Sequence, residues 1–147
     1  MINDAEIMAN ITSYYAGFLA LFYIVLSLRV LALRGNPLFR FLAFTSNSQD
    51  TDSPIAAGQT LERAVRGHGN FAEYVPLFLI LLYLAEMAGA GAGLLHGCAG
   101  GFALGRVMHG ILFCFLTKNM VLRVGGMVLT LTPMGIIALW LLARLWA

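Results

Sequence analysis

Charge is what this chain has least of. Only 11% of its 147 residues are charged, against about 25% in an ordinary soluble domain, while 60% are hydrophobic and the mean hydropathy is +0.83. That balance leaves no material for a water-soluble domain of useful size and implies one compact helical membrane unit. The net charge of +2 is too small to imply nucleic acid, and no basic stripe with interleaved aromatics accompanies it, so no such partner is expected. Cysteine is scarce too: Cys98 and Cys114 stand in apolar or glycine-rich surroundings without C-x-x-C spacing. Neither a disulfide framework nor a zinc site is suggested, and a small packing role is expected for both. No basic residue precedes the first apolar run in MINDAEIMANITSYYAG. The charged start of a secretory signal is missing, and the first helix is expected to stay.

What is present is four apolar stretches, each able at 1.5 Å per residue to cross a hydrocarbon core of about 30 Å. Helices are expected over about 10–34, 60–87, 94–117 and 122–146, forming a single all-α, integral membrane four-helix bundle over 1–147. The polar run within Leu38 to Gln59 reads as a loop whose apolar start, Leu38 to Phe44, lies along the membrane surface. The Ala/Gly run 88–93 reads as a tight turn. Pro76 and Pro133 fall inside helices two and four and are expected to kink them. Gly97, Gly101 and Gly105 recur every four residues, a spacing that lets helix backbones approach closely in lipid. Arg34, Arg40, Arg63 and Arg66 flank the first loop and Lys118 and Arg123 the third, whereas the opposite side has only Arg144. The positive-inside rule then puts both basic loops in the cytosol and both termini outside.

The stretch LERAVRGHGNFAEYVP carries strongly polar side chains into an apolar run. Arg63, Arg66, Asn70 and Glu73 are spaced by three, four and three, so on a helix they share one face. An arginine or acid in mid-bilayer costs roughly 2.5 to 3.5 kcal/mol on insertion scales, which points to a paired or liganded site. Arg29 or Arg34 from helix one, Arg106 and His109 from helix three and Arg123 from helix four approach the same half. Such a cationic cleft suits a small polyanion, because guanidinium forks grip carboxylates, while a lone acid such as Glu73 receives an ammonium group. Blander readings exist for each group: snorkelling for Arg29, Arg34, Arg40 and Lys118, packing for His109, an interfacial aromatic for Tyr74. A channel or transporter would need a polar path through the outer half, and beyond Pro76 helix two offers only Glu86.

Arg66, Asn70, Glu73, Tyr74 and Pro76 form R-x-x-x-N-x-x-E-Y-x-P, followed downstream by GRVMHG and LRVGGMVLTL. This pattern resembles the second-helix signature of the membrane-associated proteins in eicosanoid and glutathione metabolism, the MAPEG family, and most of all its short bacterial, microsomal glutathione transferase-like branch. The resemblance implies a homotrimer in a bacterial inner membrane, with glutathione as co-substrate between subunits facing the cytosol, and no metal. It implies that Arg66, His68, Asn70, Glu73, Tyr74, Arg106 and His109, with a first-helix arginine, Arg29 or Arg34, line the tripeptide pocket. It gives Arg123, in the L-R sequence with Leu122, the catalytic task of stabilising the glutathione thiolate. A free thiol has a pKa of about 8.5, and nearby cations lower it. The implied reaction is attack of that thiolate on a lipophilic electrophile or lipid hydroperoxide arriving from the bilayer. The alternative is a non-catalytic lipid-binding or scaffold protein of the same fold. Two positions depart from the family pattern: Phe113 replaces a tyrosine of some relatives, and Gly69 stands where one branch has an arginine.

Overall fold

The computed structural model describes residues 4–43, 54–116 and 119–144. Its elements in chain order are helix α1 (Asp4–Leu33), a short 3-10 helix (Pro37–Leu42), α2 (Pro54–Met87), α3 (Ala92–Phe115) and α4 (Met120–Ala143). All four α-helices are long and apolar enough to cross a membrane. Two of them end for the same reason. Gly35 and Gly89 adopt left-handed φ values of +88° and +80°, which only glycine takes without strain. Each turn is closed by paired backbone bonds, Asn36 N–H to Leu31 O and Gly35 N–H to Ala32 O in one, Ala90 N–H to Ala85 O and Gly89 N–H to Glu86 O in the other.

The segment after α1 is more ordered than the sequence suggests. Asn36 Oδ1 accepts from the Leu38 N–H at 3.0 Å and Pro37 supplies the first helical position, so a 3-10 helix forms and leaves Leu38 and Phe41 exposed. The expected loop up to Gln59 is corrected at its far end: α2 already begins at Pro54, whose missing N–H costs nothing in a first turn. At 34 residues α2 is roughly 50 Å long, well beyond the bilayer core. Pro76 and Pro133 lie within α2 and α4, which run on past them. Helix three stops at Phe115 rather than 117, and Asn119, whose Oδ1 accepts from the Leu122 N–H at 3.1 Å, caps α4. Lys118 lies outside the described residues.

Helix α3 is the centre of the bundle. It is the most buried of the four spans and, like α2, contacts the other three helices, whereas among the described residues α4 packs on α3 and α2 but not on α1. Phe78 and Phe102 stack with ring centroids 3.8 Å apart, surrounded by the fully buried Leu19, Leu26, Leu82, Leu95 and Ile137. Cys98 and Cys114 are both buried free thiols. The glycine stripe of α3 is used unevenly. A Cβ on Gly105 would stand 2.8 Å from Leu129 Cβ and 2.9 Å from Gly126 O, while Gly97 has open space around it and Gly101 meets only Pro133 at 3.4 Å. Close approach of α3 and α4 therefore rests on Gly105 facing Gly126. Gly105→Leu is expected to lower stability in lipid by about 1–3 kcal/mol through overpacking, where Gly97→Leu costs almost nothing. Thermal unfolding of the two variants in nanodiscs tests this, and equal melting temperatures would refute it.

At the end of the bundle away from the basic loops, Glu86 is 1% exposed and accepts the backbone N–H groups of Ile11 and Thr12, each at 3.1 Å. The acid that the sequence leaves alone beyond Pro76 thus takes two backbone N–H groups from within α1, seven and eight residues past Asp4, and ties α2 to α1. Arg144 donates to Ala88 O at 2.8 Å near the same end.

Candidate functional site

The basic ends of α2, α3 and α4 enclose a cleft of about 390 Å³ lined by Arg66, Gly69, Asn70, Glu73, His109, Phe113 and Arg123. The i, i+3, i+4, i+7 spacing of the α2 residues puts them on one face, while Arg63 of the expected stripe does not line the cleft and donates to Thr60 Oγ1 at 3.3 Å. Arg66 is held by Glu62 one turn earlier, at 2.6 Å. Glu73 and Arg123 are exposed in the single chain, and Glu73 has no hydrogen-bonding partner among the described residues. Gly69 leaves the wall open, since nothing lies within 4 Å of where its Cβ would be. Gly67, which sequence reasoning passed over, does the opposite: a Cβ there would strike Phe113 Cβ at 2.8 Å and Cys114 Sγ at 3.0 Å. That tight crossing of α2 and α3 fixes the Phe113 ring, which sits 4.8 Å from the His109 ring.

The cleft continues as a hollow of about 410 Å³ that shares Asn70, His109, Phe113 and Arg123 and adds Val124, Met127 and Val128 of α4. One end thus offers cations, an amide and an acid, and the other exposed apolar side chains. An amphiphilic pair of reactants could meet between them.

Arg106 does not line the cleft; it stands behind it, 1% exposed. Its Nε donates to Thr130 Oγ1 at 3.0 Å and one terminal nitrogen donates to Asn70 Oδ1 at 2.8 Å. The guanidinium lies 5.1 Å from the Tyr74 ring and 5.9 Å from that of Phe102, so Tyr74 also faces the bundle interior rather than the cleft. Its other terminal nitrogen and His109 Nδ1 are buried without hydrogen-bond partners among the described residues. Buried polar atoms without partners are rare.

The remaining predicted residues fall elsewhere. Arg34 and His68 line a second hollow, of about 290 Å³, between α1 and α2 with Ser27, Val30, Leu31 and Val65. His68 Nε2 is 3.0 Å from Ser27 Oγ, and its ring stacks on Tyr23 with centroids 4.6 Å apart. Arg29 corrects the sequence reading. It is fully buried, with Nε donating to Cys114 O at 3.0 Å, a terminal nitrogen donating to Leu42 O, and its guanidinium 5.2 Å from the Phe115 ring. It ties the end of α3 and the end of the 3-10 helix to α1, and faces neither hollow. Five residues apart on one helix, Arg29 and Arg34 point about 140° apart, and only the outer one reaches a hollow.

A helical bundle of four membrane-length helices with a charged cleft opening beside exposed apolar side chains is the class that fold and site define. Within that class the chain belongs to the MAPEG family, whose profile matches residues 12–143. It is similar to the inner membrane protein YecN of Escherichia coli strain K12 and to YecN of Escherichia coli O6:H1, each 41% identical over 49 residues, 33% of this chain and 37% of the relative. The matched stretch thus covers well under half the length of these curated relatives. No solved structure matches the chain.

Proposed function

We propose that this protein is a glutathione transferase of a bacterial inner membrane, in which a glutathione thiolate attacks a lipophilic electrophile or reduces a lipid hydroperoxide. The observation that carries the reading is the convergence of Arg66, Asn70, Glu73, His109 and Arg123 on one cleft that runs into an aliphatic hollow. Glutathione brings two carboxylates, an ammonium and a thiol; the arginines suit the carboxylates, Glu73 the ammonium, and Arg123 the sulfur. Holding the thiol at the lipid boundary supplies proximity to a membrane-dissolved partner. We place the chain in a homotrimer with the site facing the cytosol. Exposed charges at Glu73 and Arg123 support assembly, because lipid is a costly neighbour for both. In that assembly the hollow of one protomer, with Arg34 and His68, completes the cleft of the next. The gathering of Arg34, Arg40, Arg63, Arg66 and Arg123 at one end supports the orientation.

Titrating glutathione into purified protein in nanodiscs and following thiolate absorbance in the ultraviolet tests the reading. Wild type is expected to give a saturable rise. Glu73→Gln is expected to weaken glutathione binding about tenfold, the worth of one charge-assisted bond of 1.5–3 kcal/mol at its lower end. A flat wild-type titration would favour instead a lipid-binding or scaffold protein on the same fold.

A further inference from the structure

The hydrogen bonds behind the cleft run in one direction only. Thr130 Oγ1 donates its single hydrogen to Gly126 O at 2.7 Å, which leaves its lone pairs for the Arg106 Nε at 3.0 Å. A guanidinium has donors and no acceptor. The group it meets on Asn70 at 2.8 Å must therefore be the carbonyl oxygen Oδ1, with the Asn70 backbone oxygen 3.4 Å from the same nitrogen. Arg106 cannot swing away, being buried between the Tyr74 and Phe102 rings. Asn70 is thus held with its oxygen inward, while it lines both lobes of the cleft.

We propose that Thr130 and Arg106 are positioning residues: a relay from α4 through α3 to α2 that locks the Asn70 side chain so that only its amide N–H groups face the ligand. An asparagine free to flip would accept a donor as readily as it gives to an acceptor. This one is restricted to acceptors, so the subsite at Asn70 takes a carboxylate or peptide carbonyl and turns away an ammonium, leaving that group to Glu73. The relay also links ligand orientation to the α3–α4 seam, because Gly126, which takes the Thr130 hydrogen, is the glycine that faces Gly105 there. The identity of the ligand as glutathione rests on the function proposed above; the locking of Asn70 does not.

Two readouts on Thr130→Val, which keeps the shape and loses the hydroxyl, test the relay in full-length protein in nanodiscs. The first is steady-state kinetics with glutathione and a test electrophile. KM for glutathione is expected to rise about tenfold, the loss of one buried bond to a charged group, with kcat at saturation within about twofold, since no reacting atom is touched. Thr130→Ser, which restores the hydroxyl, is expected to return KM to the wild-type value. The second readout needs no ligand: the side-chain amide signals of Asn70 in asparagine-labelled protein are expected to shift or broaden in Thr130→Val and to recover in Thr130→Ser. Unmoved Asn70 signals in Thr130→Val, or a failure of Thr130→Ser to restore them, overturn the relay. Signals that respond as expected in a wild-type protein without saturable glutathione binding uphold the relay and sink the assigned ligand.

Discussion

Arg123→Ala is expected to lower kcat for conjugation of a test electrophile by about 10²–10³-fold, the cost of removing one preorganised donor from a developing or stored anion. Arg123 lies in the first turn of α4, where the helix dipole already presents about half a positive charge. Placing a further cation there is unfavourable for the helix alone, so the arrangement makes sense with an anion between Arg123 and the amide of Asn70 across the cleft. Without the guanidinium the thiol stays largely protonated at neutral pH, and the thiolate signal should fall with kcat. Assembly and melting temperature are expected to stay as in wild type, because no hydrogen bond or ion pair ties the side chain to the other described residues. Arg123→Lys should retain part of the rate, keeping charge but losing the planar fork. Unchanged turnover in Arg123→Ala would remove it from the mechanism.

Arg29→Ala is expected to do the reverse: a large loss of stability with the chemistry intact in whatever folds. Its two carbonyl partners, Cys114 O and Leu42 O, sit at the ends of helical segments where no intrahelical donor reaches them. Each charge-assisted bond is worth about 1.5–3 kcal/mol, and a buried carbonyl left alone adds to the loss. A drop of roughly 3 kcal/mol or more is expected in unfolding experiments in lipid, or failure to assemble. Glutathione affinity per folded molecule should remain within about twofold. A variant that melts like wild type and binds glutathione poorly would return Arg29 to the ligand.

The contrast between these arginines shows what a sequence reveals in a membrane protein. Spans are legible because lipid tolerates little but long apolar helices, and the stripe Arg66–Asn70–Glu73 because polar groups inside such a helix are too costly to be incidental. The partners of those groups are not legible. Arg29 and Arg34 look alike in one dimension; what separates them is the position of the α3 C-terminus, 85 residues away from Arg29 in the chain. Arg106 shares a face with His109 by spacing and a ligand role by resemblance, yet the crossing of α3 on α2 turns it inward. Thr130 gave no signal, as a threonine in an apolar helix ordinarily bonds its own backbone. The Ser53-Pro54 pair is a common helix opening and marks the early start of α2 within an otherwise polar run.

The carboxylate of Glu86, clasped by two peptide groups of α1 on the far side of the bundle, bears on how the chain enters its membrane. In the orientation proposed above a lone acid is carried across the full hydrocarbon thickness as α2 threads through, and it finds relief only when Ile11 and Thr12 of α1 are already waiting there. The first two spans are therefore best inserted as a hairpin, each supplying what the other lacks once the crossing is complete.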